Sequence, residues 1–188
     1  MSFIVDAIPG GATYRFAGPA QDPLAPTVLT IDPGLRVGWA FARLNPRRLL
    51  AGGYFELDRT ALYISAWRRT VALLEEFSPT QVVMEQYFVA PGAHCGRSIE
   101  ARGAMKAAVE RHGVAWTELN PARVRAGLGV KGKLSDAQIR AIICDLFQMP
   151  AKHRPDPRCK REMFFPADVF DAAALAWAVE QFKGGVCG

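Results

Sequence analysis

The residues best placed to do chemistry are four carboxylates. Asp32 ends an apolar run, Val28 to Ile31, and leads straight into Pro33-Gly34. Glu85 ends a second apolar run within Gln81 to Gln86, and Asp168 and Asp171 open an Ala-rich stretch near the C-terminus. A buried strand has no use for a charge, so an acid at the point where the strand surfaces is either turn chemistry or a metal ligand. Asp before Pro-Gly, taken alone, fits the turn. Two acids at i and i+3 share one helical face and can converge on one point. Their plainer role is a favourable interaction with the helix dipole, worth about 0.3–1 kcal/mol. Gathered together, four unpaired acids would repel one another and raise their own pKa values, so the set makes sense only with cations. Hard carboxylate oxygens without His or Cys select Mg²⁺ or Mn²⁺. Two such ions about 3.5–4 Å apart suit in-line attack on a phosphodiester, one activating the water and the other stabilising the leaving oxygen. Two strand-end acids followed by a same-face pair beside a buried helix favour this metal reading.

The elements that must position these acids follow from pattern. Val28 to Phe41 reads as a β-hairpin with Asp32 at its mouth, and Leu49 to Leu57 as a third strand whose Gly52-Gly53 marks a bulge or a close backbone approach. Thr60 to Phe77 is an amphipathic helix with Tyr63, Trp67, Val71 and Leu74 as its core stripe, stopped by Ser78-Pro79. The Glu85 strand, a helix over Arg97 to His112 presenting Arg97, Arg102, Lys106 and Arg111, and a strand over Val114 to Leu119 come next. Asn120-Pro121 then caps a short helix, Ser135 and Gln138 form a capping box for another that ends at Pro150, and the last helix runs from about Pro166 to Phe182. Residues 1–26 read as an irregular Gly- and Pro-rich extension, and 27–188 as one domain. The order predicts an α/β fold, a five-stranded mixed sheet flanked by helices. A right-handed crossover makes the Glu85 strand parallel to a neighbour. If that neighbour is the Asp32 strand, the two acids emerge side by side, strands about 4.8 Å apart, at the edge where α/β sites form.

Composition sets the frame. The chain has 188 residues, 50% hydrophobic and 22% charged, which fits one globular domain with a sizeable core. No apolar run approaches the roughly 18 residues of a membrane span, and no basic start precedes a long apolar core. A soluble, intracellular, cytoplasmic protein with no membrane role is expected. Four scattered cysteines without a CxxC pair suggest free thiols. The net charge is +5, and the segment Ala151 to Arg161 carries most of it through Lys152, Arg154, Arg158, Lys160 and Arg161. Such a block suits a polyanion such as nucleic acid, and equally a solvated loop.

The set TIDPG at Asp32, MEQYF at Glu85 and DVFDAAALAWA at Asp168 and Asp171, in that order, resembles the RuvC-type Holliday-junction resolvases of the ribonuclease H-like superfamily. The resemblance covers roughly Thr27 to Phe182, and EQYFVAPGAHCGRSIEARG also looks like the family's link from its catalytic Glu into the next helix. It implies a ribonuclease H-like fold, a catalytic and metal-binding set of Asp32, Glu85, Asp168 and Asp171, and Mg²⁺ or Mn²⁺, two ions. It also implies a homodimer that cuts a four-way DNA junction symmetrically. Phe88 matches an aromatic that stacks on an unpaired base in the family, an interaction worth about 1–3 kcal/mol, although a core role is an equal reading. Lys131 and Lys133 lie where the family carries basic residues near the scissile phosphate, and plain loop lysines would look the same.

The N-terminal extension and the long basic link into the last helix depart from the family, which leaves junction preference open; an organellar or phage version would fit. The expected activity is a metal-dependent, structure-selective DNA endonuclease, with DNA contacts from Phe88, Arg97, Arg102, Lys131, Lys133 and the basic link. The alternatives are a related ribonuclease H-like nuclease on flaps, branched DNA or RNA–DNA hybrids, a junction-binding protein that does not cut, and a protein-interaction domain.

Overall fold

Side chains alternate between the two faces along a strand, and on two buried strands this decides which way Asp32 and Glu85 face. The computed structural model describes residues 3–16, 25–86, 96–129, 136–147 and 166–179. Its strands are β1 (Phe3–Ile8), β2 (Gly11–Phe16), β3 (Thr27–Asp32), β4 (Arg36–Leu44), β5 (Arg47–Glu56), β6 (Gln81–Glu85) and β7 (Ala115–Leu119). Its helices are α1 (Leu62–Phe77), α2 (Gly96–Arg111), α3 (Pro121–Gly127), α4 (Asp136–Phe147) and α5 (Ala167–Ala178). One mixed sheet holds all the strands in the order β1-β2-β5-β4-β3-β6-β7. β3, β4 and β5 form the expected antiparallel meander, and β6 and β7 add to it in parallel.

Seven strands therefore stand where five were expected. The additional pair comes from the N-terminal residues read as irregular: β1 and β2 form a hairpin, and β2 pairs antiparallel with β5. Ala12, Tyr14 and Phe16 alternate into the core while Arg15 stays outside and binds Asp6 and Glu76. That alternation is short and hemmed by glycines, so it carries little weight until the open edge of β5 supplies a partner.

Helices cover both faces. On one, Val28 of β3 and Val83 of β6 pack with Ile143 and Phe147 of α4 and the apolar side of α5. On the other, Leu29, Ile31, Val82 and Met84 pack with α1 and α2. β3 and β6, buried on both sides, need the continuous apolar runs they have. No helix among the described residues is long and apolar enough to cross a membrane.

The core stripe of α1 differs from the expected one. Leu62, Ala66, Thr70, Leu73 and Leu74 face inward, while Tyr63 is 47% exposed and stacks with Trp67 at 6.5 Å on the outer side. The inner stripe keeps Leu74 from the expected set and replaces the aromatic rings with aliphatic and small side chains against α2, where the Thr70 hydroxyl is satisfied within the helix by donating to the Ala66 carbonyl at 2.9 Å. The helix ends at Ser78, whose left-handed φ of 44° turns the chain before Pro79.

The doublet Gly52-Gly53 does mark a close approach: a Cβ at Gly53 would lie 2.4 Å from the Ala12 carbonyl oxygen and 2.7 Å from the Trp39 ring. The register between β4 and β5 shifts just beyond it, at Phe41/Ala42.

Candidate active site

Three elements meet at the carboxyl ends of β3 and β6. The parallel register pairs Thr30 with Val83 and Ile31 with Met84, so Asp32 and Glu85 are next in line. Asp32 has the parity of Thr30, and Glu85 that of Val83; both acids therefore point to the face that α5 covers. The Thr30 hydroxyl donates to the Ala172 carbonyl of α5 at 2.6 Å, which locks helix to strand one turn beyond Asp168 and immediately after Asp171.

The electrostatics show how crowded these carboxylates are. Burial pushes the Asp32 carboxyl up to about 7, and the charge of Glu85, a hydrogen bond to Glu85 and the charge of Asp168 add to it. Glu85 is also raised. Burial is again the first cause and the charge of Asp171 adds to it, opposed by the hydrogen bond from Asp32 and by the charge of Arg125 on α3. The hydrogen bond between Asp32 and Glu85 favours the protonated Asp32 carboxyl, which is how a close pair of like charges avoids ionising twice.

Asp168 is held differently. Its Oδ2 lies 3.0 Å from Nε of Arg36, and the Arg36 guanidinium stacks 4.1 Å from the centre of the Tyr54 ring. Gly38, opposite Asp32 in the β3–β4 register, lets the backbone of Asp168 sit directly on β4.

Among the described residues no group of three or more His, Cys, Asp or Glu side chains is arranged to hold a metal ion as it stands. The donor set nevertheless fits a hard divalent cation. Asp32 senses Asp168 and Glu85 senses Asp171, so all four acids lie within electrostatic reach, and the hydrogen bond between Asp32 and Glu85 needs a proton between two like charges. Exchange of that proton for a doubly charged ion relieves the same repulsion more fully.

The basic residues expected to touch DNA fall into three groups. Arg97 is exposed near the start of α2. Arg102, expected to be exposed, is instead largely buried and bonded to Glu118 of β7, which Lys106 also binds. Glu118 alternates onto the same side of β7 as Trp116, over which Lys106 lies, and that places a carboxylate under α2. Phe88, Lys131, Lys133, Lys152, Arg154, Arg158, Lys160 and Arg161, as well as Ser135 of the capping box, lie outside the described residues. The Asn120 cap is as expected, its side chain accepting from the Ala122 N–H at 2.8 Å.

Sequence reasoning gave no site role to Arg36, Gly38 or Arg125. The signal for the first two was their place after the Asp32 turn, in a second strand that contains a glycine; Arg125 reads only as an arginine presented by the short helix, and nothing near it in the chain points to Glu85.

Comparison with known proteins shows what the chain is similar to. A family model described as crossover junction endodeoxyribonuclease RuvC matches residues 28–178. The protein of that name in Halorhodospira halophila is 30% identical over 139 residues, 69% of this chain and 83% of that protein. Its counterpart in Sorangium cellulosum is 27% identical over 140 residues, 69% and 76% of the two chains. The structure of T. thermophilus RuvC in complex with Holliday junction substrate is similar in fold, with a TM-score of 0.66 at 19% identity over 85% of this chain and 95% of that one.

Proposed function

The chain belongs to the RuvC family of crossover junction endodeoxyribonucleases, and on that premise we propose that it resolves four-way DNA junctions by metal-dependent phosphodiester hydrolysis. Residues 27–188 form the nuclease domain and residues 1–26 are an addition to it. One observation carries the reading: carboxylates from two adjacent strand ends and one helix face meet on the same side of the sheet, crowded enough that Asp32 holds its proton up to about 7.

Asp32, Glu85, Asp168 and Asp171 would hold the cations, Mg²⁺ or Mn²⁺. When bound, such ions neutralise phosphate charge and lower the pKa of water. The chain's own residues do the rest. Asp32 gives up its proton on loading, and β3, β6 and α5 orient the carboxylates toward one edge of the sheet. Arg125, exposed beside Glu85, meets the approaching phosphate backbone. Two opposed cuts in one junction require two such sites related by a two-fold axis, hence a homodimer.

The test is a gel assay with a labelled immobile four-way junction and a linear duplex of the same sequence, in Mg²⁺ or Mn²⁺ and in EDTA. Symmetric nicks in the junction alone are expected, lost in EDTA. In Asp32→Asn and Asp171→Asn they should fall by more than the roughly 10–100-fold that outer-shell partners cost, with junction binding retained. Preferential cutting of flaps or RNA–DNA hybrids would point to a sister nuclease, and tight binding without cutting in either metal to an architectural protein.

A further inference from the structure

We infer that Arg36 is a positioning residue that shares Asp168 with the metal, holding this carboxylate at the sheet end and yielding it to a divalent cation on loading. The inference rests on the metal reading above. Arg36 begins β4, across from Glu56 in the β4–β5 register. Yet its Nε binds Oδ2 of Asp168 on α5 at 3.0 Å.

Two features fix the guanidinium there. Tyr54 lies beneath it at 4.1 Å, a cation–π platform. Gly38, on the same face two residues along, brings the backbone of Asp168 down onto the strand. The pair is only partly shielded, with side chains 43% and 24% exposed, so solvent and an incoming ion both reach it.

A carboxylate oxygen in a charge-assisted hydrogen bond has less lone-pair density for a cation, and a guanidinium beside the acids repels that cation. Arg36 should therefore lower the affinity of the cluster for metal while aiming Asp168 and relieving repulsion before the ion arrives. Lys in its place would keep the charge but lose the planar stack.

The experiment is calorimetric titration of the full-length protein with Mn²⁺, without DNA, for wild type, Arg36→Met, Arg36→Lys and Tyr54→Leu, with thermal denaturation in EDTA and in Mn²⁺ beside it. Arg36→Met should bind Mn²⁺ roughly two- to fivefold more tightly, the scale of one partly exposed ion pair, and gain more Tm on loading. Arg36→Lys and Tyr54→Leu should fall between it and wild type. In an Asp168→Asn background the same Arg36→Met change should lose most of its effect.

Wild-type binding that Asp32→Asn weakens, combined with unchanged or weaker affinity in Arg36→Met, would overturn the sharing of Asp168 and leave the metal reading intact. If wild type takes up no Mn²⁺, both fall. If Arg36→Met does not fold, Arg36→Lys and Tyr54→Leu decide the question by the same criterion.

Discussion

A Cβ at Gly38 would fall 2.1 Å from the carbonyl oxygen of Asp168 and 2.8 Å from its Cβ. The helix bearing two of the four acids thus rests on bare backbone of the strand opposite Asp32. Any side chain at 38 would wedge α5 away from β3 and β6.

Gly38→Ala is accordingly expected to be costly although only one methyl is added. The obstacle is backbone, which cannot swing aside, so the overpacking cost should reach about 1–3 kcal/mol, a Tm loss of several degrees for a chain of this size. Junction cutting should fall further than stability does. Thermal denaturation and the cleavage assay measure the two, and wild-type activity in this variant would contradict the packing argument.

Asp32 makes stability depend on pH with a definite sign. Its folded-state pKa is raised to about 7 from the ordinary carboxylate value of 3.8. Between those values the folded state binds more protons than the unfolded one, so unfolding free energy falls as pH rises. Denaturation in EDTA should show the protein more stable near pH 5 than near pH 8. Asp32→Asn should flatten the curve, and a divalent ion should remove the loss at high pH by replacing the proton.

Arg125 opposes the upward shift of Glu85. In Arg125→Gln the Glu85 carboxyl should rise further, and the acid limb of the pH–rate profile should move to higher pH. Binding of junction DNA should also weaken and lose part of its salt dependence, because one phosphate contact is removed. A profile shifted to lower pH would show that Arg125 does not act on Glu85.

Tyr14 in β2 is fully buried against the α5 side of the sheet. If the N-terminal hairpin is an integral part of this core, Tyr14→Ala should cost about 3–5 kcal/mol, as truncation of a buried aromatic does. Chemical denaturation will show it; a loss below about 1 kcal/mol would mean that the hairpin only lies on the sheet.

The sequence by itself determined the meander, the parallel crossover strands, the cap at Asn120 and the positions of all four acids along their elements. These are local properties. An apolar run ending on Asp32 or Glu85, and a spacing of three between Asp168 and Asp171, mean the same thing wherever the rest of the chain goes. The tertiary structure alone decided that β1 and β2 extend the sheet, that Leu62, Ala66, Thr70 and Leu73 rather than Tyr63 and Trp67 join Leu74 in the inner stripe of α1, and that Arg102 is bound to Glu118. It alone put Arg36 on Asp168, Arg125 near Glu85 and Asp32 within hydrogen-bond reach of Glu85. The physical reason is common to all of them: each depends on a partner far away in the chain. Burial, pairing and proton affinity are properties of a neighbourhood, and only the folded chain assembles one.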